Sequence, residues 1–567
     1  MIRQEIIKQY IASLREDNEL DFIFPILLER MGFRVLSTPR QSKGQSQYGR
    51  DVVAIKKRNG VKTLYLFELK GFGAKDINDR TLNEPDGLIE SLRASKYTCF
   101  EDESIPDLNN YPRQYVFVHN GLVEANAQPT LNGFIKTEFP NGNFEGWDLG
   151  VLTSLFSKFL FDETLLADDE SYRLFKKTLV LLDAEENDFS DLVALVDLQI
   201  KKMESVKNEN RRRLLNFFAT LRLIVSMVYF YAKESNNIYP AKFCVDTIVL
   251  KVWAWILKER REKKTSVQNL FNGLLMQQMQ IYEEYIIKIL RFADFPKGLY
   301  AFQASSTERI FYPLRCYDFL ADLIYFYELT EAYGADLEKV GRARMDKLKA
   351  IIRNNTACTV PLLDTHSIPT LMVFKYMAFR RQTQDDTECL GGFVIDNVIN
   401  MSLRYRTQKM WPEMSGNRMA LAKSLFEKSE DYCCESSLFI LWLFELIAYL
   451  NIPWLYSTFK QLVEESEVNL QVAYPESGEF DIEQLLFEHR LNKELSVETN
   501  IQLPDTLDEF RQNFKKKYNS IKYRTDTVGY SFLRILAHKY YETDFFPDYL
   551  DRTFCDQLIL KNVSQHS

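Results

Sequence analysis

Residues 51–57 and 61–70 are two strand-like runs, and Asn59-Gly60 lies between them. Asn-Gly is the strongest short hairpin signal, because both residues of a two-residue type I′ turn need a positive φ. With Asn59 and Gly60 as the loop, Arg58 pairs with Val61, and that pairing sets the register of everything behind the turn. Counting outward brings Asp51 opposite Glu68. Directly opposed residues share one face of a sheet, with Cβ atoms roughly 4.5–5.5 Å apart. Lys70 stands two residues beyond Glu68 and points to the same face. Two carboxylates and an ammonium are therefore expected together at one end of a hairpin.

The surrounding pattern places that hairpin in an α/β layer. Leu20, Ile23, Phe24, Leu27, Leu28 and Met31 recur at helical spacing, and Gly32 follows as a stop. A helix is expected near residues 87–99, and a short buried strand at 115–119 ends at Asn120-Gly121. Further helical stretches lead to Phe139 and cover 149–161. Helix, hairpin, helix, strand, helix is an α/β sandwich order. An acidic joint at 162–170 follows, and beyond it almost every segment carries helical periodicity. Only 21 Gly and 17 Pro are spread over the 567 residues, which fits long helices with few tight turns. The expected organisation is an α/β domain over 1–162 and a large all-α region over 163–567, the latter divided near 296–306. Residues 468–507 are acidic and weakly periodic, and read as a long excursion. The apolar stretches 214–232 and 438–456 are interrupted by Arg222 and by Glu445 and Asn451, so they read as buried core helices rather than membrane spans.

Two opposed carboxylates repel each other unless a cation lies between them. Hard oxygen ligands suit Mg²⁺ or Mn²⁺, and Mg²⁺ keeps several waters and bridges to phosphate. A neighbouring Lys70 can orient the attacking water or stabilise charge on phosphoryl oxygens. The grouping points to phosphodiester hydrolysis. Between Arg30 and Lys70 there are ten basic residues and two acidic ones, a local +8 within a chain of net charge −8. The total excludes a uniformly basic nucleic-acid coat, while the window offers a basic rim for a phosphate backbone. The eight Cys and five His form no C-x-x-C pair and no H-E-x-x-H, which argues against a structural zinc site and for scattered thiols in a reducing cytoplasm. The first residues lack the apolar core of a secretory signal. No Walker A or G-x-G-x-x-G motif appears, so ATP use is not encoded. His119 reads as a strand-end histidine. Gln41 and Lys43 read as a solvated loop. The runs 211–213, 258–264 and 515–517 fall on expected helices; 258–264, which contains Glu259 and Glu262, reads as an exposed face, and 515–517, followed by Tyr518, Lys522, Tyr523 and Arg524, has the aromatic interleaving that can bind single strands.

Gly49-Arg50-Asp51, the apolar strand, Glu68-Leu69-Lys70 and the helix before Gly32 together make the N-terminal 160 or so residues resemble the PD-(D/E)xK restriction-endonuclease superfamily, especially its Mrr-like branch. The resemblance implies a central mixed sheet flanked by helices. It implies Asp51 and Glu68 as ligands of Mg²⁺ or Mn²⁺, with the Leu69 carbonyl as a further ligand, and Lys70 as the catalytic lysine. The branch also tends to carry an acidic residue, usually Glu, on its first helix about eleven positions before the Gly that ends it. Asp21 stands there, with Glu19 as a rival. The second motif reads E-x-K, where this branch often has Q-x-K. The resemblance covers under a third of the chain and gives no family for the helical remainder. The activity it implies is that of a Mg²⁺-dependent endonuclease acting on DNA, with RNA as the other substrate, in a prokaryotic restriction or antiphage defence setting. The helical region would then sense a trigger, bind a partner protein or form a homo-oligomer. The alternative is a non-catalytic helical scaffold whose degenerate nuclease-like module only binds nucleic acid or a protein partner.

Overall fold

A computed structural model describes residues 2–14, 16, 20–38, 50–58, 60–71, 77–84, 87–102, 105–160, 169–182, 189–204, 211–301, 306–424, 431–475, 481–514 and 523–546. The chain divides into two compact units, Met1–Ile248 with Thr265–Gln277, and Val249–Lys264 with Gln278–Ser567.

The first unit begins with helices α1 (Ile2–Ser13) and α2 (Asp21–Arg30), then strands β1 (Arg34–Ser37), β2 (Val52–Arg58) and β3 (Val61–Lys70). Helices α3 (Asp79–Asn83) and α4 (Leu88–Tyr97) lead to β4 (Arg113–His119). After it come α5 (Gln128–Glu138), β5 (Phe144–Trp147) and α6 (Leu149–Phe159). The five strands form one sheet in the order β1-β2-β3-β4-β5. The first three are antiparallel to one another, while β3, β4 and β5 run parallel, joined by crossovers that carry α3–α4 and then α5.

Local chemistry accounts for these elements. Leu20, Ile23, Phe24, Leu27 and Leu28 are all fully buried, so the periodic stripe of α2 faces the core. Gly32 ends that helix at φ 85°, with its own N–H on the Glu29 carbonyl and the Phe33 N–H on the Leu28 carbonyl, each at 2.9 Å. That is a Schellman stop, and it needs the left-handed residue that glycine supplies. The hairpin pairs Arg58 with Val61 and continues to Val52 with Phe67, with Gly60 also at φ 85°. The register anticipated from Asn59-Gly60 is the register observed, although Asn59 itself lies outside the described residues.

Both faces of the sheet are covered. Val53, Leu64, Leu66, Tyr115 and Phe117 pack with Leu82, Leu88, Leu92, Leu131 and Phe134 of α3–α5. On the other face, Phe67 receives the edge of the Phe24 ring at 5.3 Å and the Trp147 ring at 5.5 Å. The strands β1 and β5, four residues each, add edges that the sequence reading did not include.

The unit continues with α7 (Asp169–Val180), α8 (Ser190–Glu204) and α9 (Arg211–Glu234), and α10 (Tyr239–Lys258) and α11 (Thr265–Ala293) are divided between the two units. Residues 161–168 of the expected acidic joint lie outside the described residues. The second unit carries α12 (Glu308–Ala332), α13 (Leu337–Asn354), α14 (Ser367–Arg380), α15 (Gln384–Gln408), α16 (Arg418–Lys423), α17 (Phe439–Leu450) and α18 (Pro453–Ser466). It is largely rather than wholly helical. Two small strand pairs, Ser436–Ser437 with Asn469–Leu470 and Val472–Pro475 with Leu495–Glu498, fall mostly in the stretch expected as an excursion. The apolar run 438–456 is broken by Asn451 in the left-handed region at φ 54° and by Pro453, which opens α18. Among the described residues, one helix segment, Arg213–Glu234, is long and apolar enough to cross a membrane by length and composition, and 56% of its most apolar window is buried.

Candidate functional site

Asp51, Glu68 and Lys70 come together at the end of the hairpin away from its turn. Asp51 lies one residue before β2, and its N–H donates to the Phe67 carbonyl at 2.8 Å. Its carboxylate folds inward and accepts the Leu69 N–H at 2.7 Å. Glu68 is 3% exposed, on the same face as Leu64 and Leu66. Lys70 Nζ reaches Glu68 Oε1 at 3.1 Å. Ser91 of α4 also hydrogen-bonds Glu68, so the carboxylate lies under the helix that crosses that face.

A further carboxylate completes the group. Glu16, in the short segment between α1 and α2, approaches Lys70 Nζ with Oε1 and accepts the Gly71 N–H with Oε2, both at 3.2 Å. Asn120, fully buried just beyond β4, explains the approach. Its side-chain amide donates to the Ile11 carbonyl at 2.7 Å and the Leu14 carbonyl at 2.8 Å, which ties the end of α1 to the end of the parallel strands. Glu16 follows that anchor by two residues. Asp21, the acidic residue chosen from sequence spacing, opens the first turn of α2 five residues later, and Glu19 lies outside the described residues. Glu16 and Asn120 were missed because the contact from Glu16 to Lys70 closes over 54 positions. The only sequence signal was the acidic cluster at 16–21, which does not say which member turns inward.

Burial and like charge govern the electrostatics. Burial, and then the charge of Glu68, push the Asp51 carboxyl up from 3.8 to about 8, against the stabilising Leu69 N–H. Burial likewise raises Glu68, opposed by Lys70 and Ser91. Burial disfavours the charge on Lys70, but Glu68, Glu16 and Asp51 outweigh it and hold its pKa above the ordinary value. Two neighbouring carboxyls whose pKa values burial raises are a donor set short of positive charge, and this fits a hard divalent cation. Among the described residues, no group of three or more His, Cys, Asp and Glu side chains is placed to hold a metal ion. Asp51 and Glu68 are two donors, while Glu16 is committed to Lys70 and the Gly71 amide. Mg²⁺ suits such a partial set, since it is commonly held by one or two carboxylates with waters and substrate phosphates filling the remainder. The Leu69 N–H is spent on Asp51, and its side chain is buried on the opposite face.

Among the described residues, Arg50 and the basic residues of the hairpin do not form a rim around these carboxylates. Arg50 is buried, donating to the carbonyls of Thr98 at 2.8 Å and Cys99 at 2.9 Å beyond the end of α4. Lys56, Lys57, Arg58 and Lys62 stand at the turn end of the hairpin, about 17–23 Å along the strands from Asp51. There Arg58 binds the Gln114 side chain and pairs with Glu145 at 3.5 Å, and Lys56 lies over the Phe33 ring at 4.5 Å. Gln41, Lys43 and Gly49 lie outside the described residues. His119, paired in register with Lys70, is 4% exposed and stacked on Phe117 at 4.8 Å. Lys515, Lys516 and Lys517 lie outside the described residues. Compared with protein-family models, with curated proteins and with solved structures, the chain matches none of them.

Proposed function

We propose that the chain is a metal-dependent nuclease with an N-terminal restriction-endonuclease-like domain, hydrolysing phosphodiester bonds in DNA as a cytoplasmic restriction or antiphage defence effector of a prokaryote. The observation that carries this reading is the convergence of Asp51, Glu68 and Lys70 at one end of β2 and β3, with Glu68 buried, Asp51 and Lys70 half-buried, and the carboxyls short of positive charge. The strand order supports it as well: β3, which carries Glu68 and Lys70, is the middle strand of the sheet, between an antiparallel neighbour and a parallel strand reached by a helical crossover.

Asp51 and Glu68 would hold Mg²⁺ or Mn²⁺, with the Leu69 carbonyl as a third protein oxygen. A divalent ion there supplies charge neutralisation at the phosphoryl oxygens and lowers the pKa of a bound water. The remaining roles belong to the chain. The Leu69 N–H fixes the direction of the Asp51 carboxylate. Lys70 brings an ammonium to the phosphate, where it donates to the attacking water or to a non-bridging oxygen as negative charge develops. Glu16 and Glu68 hold that ammonium from two sides, so its position is set before substrate arrives.

The pairing of Lys70 with both Glu68 and Glu16 also supports a second reading, in which a degenerate module keeps its charges satisfied and only grips nucleic acid or a protein partner. Purified full-length protein incubated with plasmid and linear DNA, in Mg²⁺, Mn²⁺ or EDTA, separates the two. Nuclease function predicts metal-dependent cutting that Lys70→Ala abolishes. Cutting that survives EDTA or Lys70→Ala removes the assignment to this site.

A further inference from the structure

The outer face of α15 is unusual in what it leaves uncovered. Ile399 and Leu403 are 40% and 52% exposed, and beside them Trp454 of α18 is 57% exposed. These residues line a groove between α15 and α18, floored by Val398, Leu455 and Phe459. Solvated apolar side chains scattered singly need no explanation, but three that share one groove mark a contact surface.

Charge at the two ends of this stripe identifies what covers it. Asp396 and Arg406 are exposed on the same helix, and neither side chain has an ion pair or hydrogen bond among the described residues. Some exposed arginines of this unit find carboxylates, as Arg353 does with Asp385 and Arg418 with Asp318, while Arg260, Arg291 and Arg309 do not among the described residues; what marks Arg406 is its placement relative to Asp396. The order Asp396, Ile399, Leu403, Arg406 advances by three, four and three residues, so all four share one stripe of the helix. The order is also symmetric about the level of Met401. An antiparallel copy of α15 related by a two-fold axis at that level brings Asp396 against Arg406 of the second copy, and Ile399 against its Leu403. The rest of the helix agrees in sign. Its exposed acidic residues without an ion pair among the described residues, Glu388 and Asp396, precede Met401, and its exposed basic residue, Arg406, follows it, while Asp385 and Asp386 are paired within the chain and Arg404 binds Tyr432. A patch that is its own complement under a two-fold rotation is what an isologous interface requires.

We infer that this face binds a second copy of the chain, with the two α15 helices antiparallel, Ile399, Leu403 and Trp454 covered, and Asp396 paired to Arg406 across the axis twice. A partner protein with an acidic amphipathic helix could also cover an apolar groove, but it would not account for an unpaired carboxylate and an unpaired guanidinium placed symmetrically about it.

Sedimentation velocity and light scattering on the full chain through the micromolar range test this. Wild type should be dimeric. Asp396→Arg and Arg406→Asp, each placing like charges together twice, should each weaken the dimer by roughly tenfold or more. The double variant Asp396→Arg/Arg406→Asp should restore dimerisation, because the pairs re-form with reversed sign. Leu403→Glu should give monomer. All three positions of substitution are solvent-facing, and unchanged helical circular dichroism confirms that the variants fold. A wild type that stays monomeric overturns the inference. So does a dimer indifferent to Leu403→Glu and the single reversals, or a double variant that remains as weak as the singles.

Discussion

Asp51→Asn should make the metal-free protein more stable while removing a proposed metal ligand. In the folded chain the Asp51 carboxyl keeps its proton up to about pH 8, whereas an unfolded aspartate releases it near 3.8. Between those values the unfolded state sheds a proton that the folded state retains. Folding stability therefore falls as pH rises from about 4 to about 8, and is insensitive to this group outside that window. At pH 7 roughly three units of the difference are expressed, a ceiling of about 4 kcal/mol at ~1.4 kcal/mol per unit. Asp51 is half-buried, and solvent screening reduces this to about 2 kcal/mol. Asparagine carries no charge to desolvate, does not repel Glu68, and still offers an oxygen to the Leu69 N–H. Scanning calorimetry in EDTA at pH 7 should show the first unit melting about 4–8 °C higher in the variant. At pH 4 the difference should shrink toward zero. A variant that melts lower than wild type at pH 7, or a gain that persists unchanged at pH 4, would refute the reasoning.

Four further outcomes follow from the same structure. Glu16→Gln should slow DNA cleavage about ten- to a hundredfold by loosening Lys70, with Asp21→Asn having a smaller effect, as initial rates of plasmid nicking will show. Phe67→Ala should destabilise the first unit by about 3–5 kcal/mol, because a fully buried ring with four aromatic neighbours is removed, and urea unfolding followed by tryptophan emission reads this. Asp364 is 4% exposed and accepts the Ser437 hydroxyl and the Leu438 and Phe439 N–H groups at the start of α17. Asp364→Ala should cost about 2–4 kcal/mol in urea melts of the second unit, since three buried donors lose their acceptor. Gly60→Ala should cost about 1 kcal/mol through its left-handed φ alone, because no neighbour crowds the position.

The site was legible in the sequence to the extent that its geometry is local. Asn59-Gly60 determines a two-residue turn, the turn determines the register, and the register brings Asp51 and Glu68 together across seven paired positions. The departure comes at the last step. Asp51 stands just before β2 and turns its carboxylate onto the Leu69 amide instead of standing upright beside Glu68. Glu16 depends on Asn120 reaching back to α1, a contact between segments 106–109 positions apart that no periodicity encodes. Charge counting failed for a related reason. It assigns Arg50 and Lys57 the same weight, but the fold buries Arg50 against two carbonyls and places Lys57 at the far end of the hairpin. The edge strands β1 and β5 are too short for alternation to distinguish them from loop, and β5 is recruited by pairing with β4. In the second unit the long helices followed from the apolar repeat, and one left-handed Asn451 with Pro453 divides what hydropathy alone reads as a single stretch.

The central claim is that phosphodiester hydrolysis occurs at Asp51, Glu68 and Lys70. Its most direct test is plasmid cleavage in Mg²⁺ by wild type and Asp51→Asn side by side, because the variant is expected to be folded and at least as stable. The account predicts that wild type cuts in Mg²⁺ and not in EDTA, and that Asp51→Asn is slower by about a hundredfold or more. Equal cutting by the two proteins, or no cutting by wild type in either Mg²⁺ or Mn²⁺, would contradict it.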